Sequence, residues 1–365
     1  MIRKFLRRNQ AGSGNCKLIE MSEQSAIENV EDLESVLSEP TESVIQTMHA
    51  LEGDFVILGV GGKMGPTLAR MVKRASDLAG IKRRVIGISR FSNSSVLEKR
   101  LNTWGVETHR CDLLDAQSYP QLSDAANVIY MAGMKFGSTG NESLTWAMNV
   151  FVPGLVAARY RGSRLAIFST GNVYGLAPVS SGGSLECDPL HPVGEYALSC
   201  LGRERIFEHF SKVNHTKMTI LRLNYAVEMR YGVLLDIAQK VFSGQAVPLQ
   251  MGHFNAIWQA DASAMTLQAL SHSSTPPLVI NITGPEVLSL AWIAGQFGEL
   301  FHKQVLFEGA ESNDALLNNA GKAFQLFGSP RLSIDRVLHW TAGWVKRGGE
   351  TLEKPTHFES RSGDF

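Results

Sequence analysis

The chain has 365 residues, with 35 basic residues balanced by 35 acidic ones, 44% hydrophobic residues and 19% charged residues. A single hydrophobic core stops growing near ~250 to 300 residues, so this length predicts two lobes. The balanced charge argues against a nucleic-acid partner, and no apolar stretch approaches the ~20 residues of a membrane-spanning helix. We therefore expect a globular protein with neither a nucleic-acid nor a membrane partner.

The four cysteines form neither a CxxC pair nor a zinc-binding spacing, and the ten histidines show no metal motif such as HExxH. The sequence predicts no metal site. The basic start Met1–Arg8 is not followed by an apolar signal segment, and acidic residues arrive at Glu20 and Glu23, which is atypical of a transit peptide. These features favour a cytoplasmic protein.

Residues 1–52 predict an N-terminal extension with short helices at Val30–Leu37 and Thr41–Leu51. The pattern then changes to a buried strand at Phe55–Leu58, a glycine loop, and an amphipathic helix at Pro66–Ala79. Further strands are predicted, with helical segments between most of them, at Arg84–Ile88, Glu107–Cys111, Val128–Met131, Arg164–Ser169 and Met218–Leu223. Alternating strands and helices indicate an α/β protein with a Rossmann-like, doubly wound parallel sheet.

This pattern divides the chain into a Rossmann domain over residues 53–228, a smaller C-terminal substrate lobe over residues 229–347, and a tail over residues 348–365. Leu278–Ile282 is a late strand and a candidate to return to the main sheet.

The loop Gly59–Gly65 joins the first strand to the first helix, where the pyrophosphate of a dinucleotide would meet backbone N–H groups and the positive end of the helix dipole. Gly59 permits the tight turn, Gly62 lets the backbone approach phosphate, and Gly65 lets helix and strand pack closely. The sequence therefore predicts NAD(P) binding, because this loop lies within a repeated strand–helix pattern.

Arg90 follows the second strand, where an acidic residue usually accepts a hydrogen bond from the ribose 2′-hydroxyl of NAD. An arginine suits the 2′-phosphate of NADP instead. This position favours NADP, with NAD as the alternative if Arg90 is only a solvated loop charge.

Several motifs occur together in an order and spacing that are more specific than any one of them. They are Gly59-x-x-Gly62-x-x-Gly65, Cys111-Asp112-Leu113, Met131-Ala132-Gly133, Asn149, Phe168-Ser169-Thr170-Gly171-Asn172-Val173-Tyr174-Gly175 and Tyr196-Ala197-Leu198-Ser199. Over roughly residues 54–344 the chain resembles the extended short-chain dehydrogenase/reductase superfamily, the NAD(P)-dependent epimerase/dehydratase family.

The resemblance implies that Tyr196 is the acid/base and that Thr170 orients the reacting oxygen of the substrate. The cofactor-binding residues that we predict are Gly59, Gly62, Lys63, Met64, Gly65, Arg90, Asp112, Leu113, Met131, Ala132, Gly133, Asn149, Ser169 and Tyr196. A phenol beside a hydroxyl suits hydride transfer at a carbinol, because the carbinol proton must leave or return.

The chain departs from the family motif Y-x-x-x-K, because Cys200 stands where the lysine belongs. The resemblance implies that this lysine lowers the tyrosine pKa, and an unshifted tyrosine with a pKa of about 10 is ionised in only about one molecule per thousand at neutral pH. Two cations are candidates to replace it. We favour Lys135, after the fourth strand, slightly over Arg203, which follows Tyr196 by seven residues on nearly the same helical face.

Two further departures from the family motifs narrow the expected substrate class. Gly171-Asn172 stand where the sugar-nucleotide 4,6-dehydratases of the resembled superfamily carry an Asp-Glu pair, which argues against dehydratase chemistry. The stretch Phe254–Asp261 lacks the arginine with which relatives hold a nucleotide diphosphate. We expect an oxidoreductase or epimerase acting on a free sugar, sugar acid or hydroxy ketone; the alternative is a non-catalytic NAD(P)-binding sensor.

The strand ends and the segment after residue 225 predict the substrate site, because ligands of parallel sheets bind at the carboxyl ends of strands. Its predicted residues are Lys135, Asn172, Asn224, Tyr225 and Trp258. The resemblance also implies a homodimer that pairs through helices at about Glu142–Tyr160 and Val193–Phe210, the second of which is rich in apolar residues.

Overall fold

The structure is a computed structural model that describes residues 27–92, 95–135, 137–354 and 356–363. The strands of its central sheet are β1 Phe55–Leu58, β2 Val85–Ser89, β3 Glu107–Arg110, β4 Asn127–Tyr130, β5 Arg164–Thr170, β6 Met218–Leu223 and β7 Leu278–Ile282. Every neighbouring pair is parallel, and the strand order is β7-β6-β5-β4-β1-β2-β3. The predicted Rossmann-like sheet is confirmed.

The helices are α1 Val30–Leu37, α2 Glu42–Ala50, α3 Gly65–Leu78, α4 Ser95–Thr103, α5 Glu142–Trp146, α6 Val152–Arg159, α7 Gly194–Asn214, α8 Val233–Ser243, α9 Gln259–Ala269, α10 Leu290–Phe301, α11 Gly321–Phe327 and α12 Ile334–Lys346. A π-helical turn at Ala147–Phe151 joins α5 to α6. Two-residue strands pair as Ala177–Pro178 with Asp314–Ala315, Ala226–Val227 with Ile257–Trp258, Val247–Pro248 with Phe307–Glu308, and His253–Phe254 with Leu288–Ser289.

Helices cover both faces of the sheet. Successive side chains of a strand point to opposite sides, so each inner strand contributes to two cores. Phe55 and Ile57 of β1 face a core that includes residues of α3 and α9, whereas Val56 and Leu58 face a second core that includes residues of α6 and α7. All four side chains are fully buried. Helices on both faces explain why these strands are continuous apolar runs in the sequence.

The N-terminal helices pack against the Rossmann core. Arg74 of α3 donates to the Ser35 carbonyl at 2.7 Å and to the Ser38 hydroxyl at 3.0 Å. Arg83 donates to the carbonyls of Met48 and Leu51, each at 2.8 Å. In the part of the chain that is described, no helix is long and apolar enough to span a membrane.

The strand order creates one ligand crevice. The chain leaves β1 toward β2 and β3 on one side, while β4, β5, β6 and β7 extend on the other. The carboxyl ends of β1 and β4 therefore meet at the point where the winding reverses, which is where open parallel sheets bind ligands.

Candidate active site

The glycine loop lies at this crevice between β1 and α3. Gly59 has a φ of 87°, and a Cβ atom there would lie 2.7 Å from the backbone nitrogen of Ala132 after β4. Gly65 begins α3 in contact with the Val60 backbone, so a side chain there would collide with the loop. α3 has no side-chain cap, which leaves its first N–H groups available to an anion.

Two adjoining cavities open at this loop. The first, of about 470 Å³, is lined by Gly59, Gly62, Arg90, Asp112, Leu113, Met131, Ala132 and Gly133 among others. The second, of about 380 Å³, is lined by Lys63, Met64, Gly65, Ser169, Thr170, Asn172, Tyr196, Asn224 and Tyr225 among others. They share the residues Gly59, Gly62, Met131, Gly133 and Lys354. The pair thus forms one elongated cleft with the phosphate loop at its middle.

The shared residues separate the cleft into two parts, which we call the adenine-side cavity and the reacting-side cavity after the predicted roles of their residues. Arg90 is exposed in the first cavity, and Asp112 there accepts a hydrogen bond from the Leu114 backbone at 3.1 Å. Thr170 and Tyr196 lie in the second cavity. This arrangement can accommodate a dinucleotide that extends across the glycine loop toward the phenol.

Asn149 does not line either cavity. It is fully buried in the π-helical turn. Its amide donates to the Met134 carbonyl and the Ser199 hydroxyl, each at 2.9 Å, and its oxygen accepts from the Met134 backbone at 2.9 Å. Asn149 therefore fixes the loop after β4 against α7, rather than contacting the cleft as we predicted from the family motif.

Thr170 ends β5 and is nearly buried beside Tyr196, which lies in the first turn of α7. The Thr170 side chain is within hydrogen-bonding reach of the Tyr196 phenol. It also accepts from the Asn172 backbone N–H at 3.2 Å and donates to the Asn172 amide oxygen at 3.1 Å. These bonds orient the Thr170 hydroxyl at the edge of the cavity.

Burial raises the pKa of the Tyr196 phenol above its usual value, and the adjacent Cys200 acts in the same direction. The charge of Arg203 and the hydrogen bond with Thr170 oppose this rise in pKa. Burial also raises the pKa of the Cys200 thiol, so this residue is neutral and supplies no positive field.

Arg203 extends back from α7 to the loop after β4. It is buried, and its guanidinium donates to the Phe168 carbonyl at 2.9 Å and to the Asn149 amide oxygen at 2.6 Å. A side chain at Gly133 would collide with this guanidinium, so the glycine leaves room for it. The reach back along the helix that the sequence predicts for Arg203 is therefore observed.

Lys135 is the second cation at the site. Its Nζ lies 5.7 Å from the centre of the Tyr196 ring, and burial lowers the pKa of Lys135 to about 8. Lys63 extends from the glycine loop into the same cavity, where its Nζ donates to the Ala226 carbonyl at 2.6 Å and lies 3.7 Å from the centre of the Tyr231 ring. Burial likewise lowers the pKa of Lys63.

The segment after β6 closes the second cavity. Asn224 is buried and donates to the Leu316 carbonyl at 3.1 Å. Tyr225 has a φ of 39°, a left-handed conformation that is uncommon for a bulky residue and is concentrated at functional sites. Both residues, together with Asn172 and Lys135, line the cavity where the substrate site was predicted.

Trp258 is the exception among the predicted substrate residues, and that assignment is corrected. Its side chain is 3% exposed and does not line the cavity. The indole packs at 60° against Trp340 of α12, with ring centres 5.7 Å apart. An indole in an apolar stretch joins the hydrophobic core because burying its large surface is favourable.

Several residues that line the second cavity were not predicted from the sequence, among them Tyr231, Lys354 and Thr356. Tyr231 has no helical or strand periodicity in common with the predicted Tyr225, so the sequence pattern did not indicate it. Lys354 and Thr356 belong to the predicted tail, whose return to the cleft depends on contacts distant in sequence. No group of three or more histidine, cysteine or acidic side chains arranged to hold a metal occurs among the described residues.

Comparison with known proteins identifies one matching family model and several similar solved structures. Residues 55–227 match the model of the NAD dependent epimerase/dehydratase family. No curated protein sequence matches the chain.

Among solved structures, the chain is similar to UDP-glucuronic acid 4-epimerase from Bacillus cereus in complex with UDP-glucuronic acid and NAD, with 19% identity, a TM-score of 0.68, and coverage of 80% of this chain and 99% of that one. It is also similar to UDP-glucose 4-epimerase from Thermotoga maritima with UDP-glucose, with 16% identity, a TM-score of 0.65, and coverage of 81% and 99%. A third similar structure is dTDP-glucose 4,6-dehydratase from Bacillus anthracis with NAD, with 15% identity, a TM-score of 0.68, and coverage of 81% and 97%.

Proposed function

We propose that the chain is an NAD(P)-dependent oxidoreductase or epimerase of a carbohydrate-like secondary alcohol, because its residues 55–227 match the model of the NAD dependent epimerase/dehydratase family. The observation that carries this proposal is the Thr170–Tyr196 pair, which lines a cavity continuous with the glycine loop. A bound NAD(P) would accept and return the hydride.

The residues of the chain would handle the proton. Thr170 is oriented by Asn172 and would hold the carbinol oxygen of the substrate. Tyr196 would take the carbinol proton during oxidation and return it during reduction. Arg203 and Lys135 would make this transfer possible, because positive charge favours the tyrosinate that burial disfavours.

The substrate that we propose is a free sugar, sugar acid or hydroxy ketone. In the solved relatives the named ligands and substrates are UDP- and dTDP-sugars, so nucleotide sugars are the competing class. In this chain the segment 254–261 has structural contacts instead: Asn255 donates to the Glu286 carbonyl at 2.9 Å, and Asp261 pairs with Arg331 at 2.9 Å. None of these eight residues lines the second cavity.

The cofactor that we propose is NADP, with NAD as the alternative. Arg90 supports NADP because it lies exposed in the adenine-side cavity, where a guanidinium would bind a 2′-phosphate.

Turnover with a substrate panel tests the function. Purified protein is incubated with NAD or NADP and with free sugars, sugar acids, hydroxy ketones and UDP-sugars, and both reduced cofactor and epimerised product are measured. We expect turnover of a substrate without a nucleotide, and its loss in Tyr196→Phe. Turnover of UDP-sugars alone would contradict the substrate class, and an unchanged rate in Tyr196→Phe would contradict the assigned chemistry.

A non-catalytic NAD(P)-binding sensor is the second candidate function. Cys200 supports it, because the neutral thiol occupies the position of the family lysine. Cofactor binding measured by fluorescence, without turnover of any compound in the panel, is the result expected of a sensor.

A further inference from the structure

The chain returns to the cleft after α12 as a strap, defined here as residues 351–354 and 356–363. The Leu352 backbone N–H donates to the Arg230 carbonyl at 3.0 Å. The backbone N–H and hydroxyl of Thr356 donate to the Asp236 carboxylate of α8 at 2.8 and 2.5 Å. Phe358 is 2% exposed and belongs to the larger hydrophobic core. These contacts fix the first half of the strap beside α8.

The second half of the strap is anchored by contacts with other segments of the chain. Arg361 donates to the carbonyls of Gln250 and Asp314 at 3.1 and 3.0 Å and pairs with the Asp314 carboxylate at 2.5 Å. Gly363 contacts the start of α7, where a Cβ atom on Gly194 would lie 2.6 Å from the Gly363 carbonyl oxygen. The strap therefore spans the distance from α8 to the helix that carries Tyr196.

Lys354 lies on this strap at the junction of the two cavities. It lines both of them, as do Gly59 and Gly62 of the glycine loop. Its side chain is exposed, and it forms no hydrogen bond or ion pair with any other residue in the described ranges. A lysine is thus held beside the phosphate loop without an anionic partner.

We propose that Lys354 binds the pyrophosphate of the dinucleotide, so that the strap completes the cofactor site. The proposal rests on the proposed NAD(P) site. The glycine loop and the N-terminus of α3 offer backbone N–H groups and a helix dipole to the phosphates. Lys354 adds a full positive charge from a segment distant in sequence. A phosphate on the substrate is the alternative partner, but Lys354 lines both cavities together with Gly59 and Gly62 of the glycine loop, which favours the cofactor.

The experiment compares wild type with Lys354→Met, Lys354→Arg and the control Lys217→Met, which removes an exposed lysine before β6, at the opposite edge of the sheet. Dissociation constants are measured for NADH, NADPH and ADP-ribose at low and high salt. We expect Lys354→Met to weaken all three about tenfold, the loss typical of one exposed charge-assisted hydrogen bond, and to make binding less salt-dependent. Lys354→Arg and Lys217→Met should bind like wild type.

Three results would overturn the inference, and they are distinguishable. If Lys354→Met binds ADP-ribose as tightly as the wild-type protein does, the pyrophosphate contact is excluded. A rise in the KM of a phosphorylated substrate with unchanged cofactor affinity would assign Lys354 to the substrate. Failure of the wild-type protein to bind any of the three ligands would instead refute the dinucleotide site itself, and with it the proposed function.

Discussion

Cys200 lies one helical turn after Tyr196 on α7, and its buried thiol is within hydrogen-bonding reach of the Tyr196 phenol. The side chain that occupies the family lysine position thus contacts the proposed acid/base but contributes no charge. Arg203, one turn farther along α7, is the cation that opposes the raised pKa of Tyr196. Substituting Arg203 and Lys135 in turn can therefore identify which cation takes over the role of the family lysine.

We predict that Arg203→Met raises the apparent pKa of the oxidation reaction by about one to two pH units, because removal of a nearby positive charge disfavours the tyrosinate. Lys135→Met should also raise the apparent pKa of oxidation, but only if the reaction titrates below about pH 8. Above that pH Lys135 has lost its charge, because its pKa is lowered to about 8. The measurement is the pH dependence of the oxidation rate once a substrate is found.

Arg203→Lys is the matched control for charge, since Arg203 also holds the Phe168 carbonyl and the Asn149 amide. Thermal unfolding of each variant separates a loss of stability from a shift in the pH profile. If neither Arg203→Met nor Lys135→Met raises the apparent pKa, neither cation replaces the lysine.

The seven strands of the main sheet were predictable to within one residue at each end. Six of them are short runs rich in buried apolar residues, whereas the edge strand β3 is polar and partly exposed and was predicted from its place in the strand–helix alternation. The glycine loop was predictable for a local reason as well, since the positive φ of Gly59 and the close approach of Ala132 require glycine. Thirteen of the fourteen predicted cofactor residues line the cleft, and only Asn149 does not.

The errors and omissions come from contacts between distant segments. Trp258 was assigned to the substrate site because it lies in the segment after residue 225, but its partner Trp340 lies 82 residues later and holds it in the core. Lys354 gave no local signal, because its place beside Gly59 depends on Thr356 binding Asp236 and on Arg361 binding Asp314. Hydrophobic periodicity carries no information about such pairings.

Gly59→Ala should destabilise the protein by about 2 to 4 kcal/mol, because it combines left-handed strain with a collision at Ala132. Gly80→Ala is the control for strain alone, since Gly80 has a φ of 70° but no atom lies within 4 Å of its added Cβ. It should cost only about 1 kcal/mol. Denaturant unfolding measures both values. Equal losses of unfolding free energy in Gly59→Ala and Gly80→Ala would show that the close approach of Ala132 to Gly59 is unimportant.

Arg90→Ala should reduce NADPH affinity about 10- to 100-fold and leave NADH affinity nearly unchanged, because only NADPH carries the 2′-phosphate. Arg110→Ala provides a control, since Arg110 is an exposed arginine on β3 that pairs with Glu98 and does not line the adenine-side cavity. Fluorescence titration with both cofactors distinguishes the cases. Equal losses of both affinities, or no loss, would remove the argument for NADP.

The stability of the protein should depend on the protonation of Lys135. Its pKa is lowered from 10.5 in the unfolded chain to about 8 in the folded one, so between these values the unfolded state binds more protons. The contribution of Lys135 to stability is therefore fully present above pH 10.5 and is lost as the pH falls through about 8. Lys135→Met should gain about 3 kcal/mol relative to wild type on going from pH 10.5 to pH 7. A difference independent of pH would contradict the lowered pKa.

The homodimer remains a prediction, and the exposed apolar side chains of the two helical segments give it a direct test. Phe151 in the π-helical turn is 53% exposed, and Leu198 on α7 is 41% exposed. Phe207, also on α7, is buried in the core against Tyr130 and is not available to the interface. If the segments pair, Phe151→Glu should convert a dimer into a monomer at micromolar concentration, because a carboxylate cannot be buried there without a partner. Val96→Glu replaces an even more exposed residue on α4 and should leave the dimer intact. Light scattering over a range of concentrations measures both, and a monomeric wild type would contradict the dimer altogether.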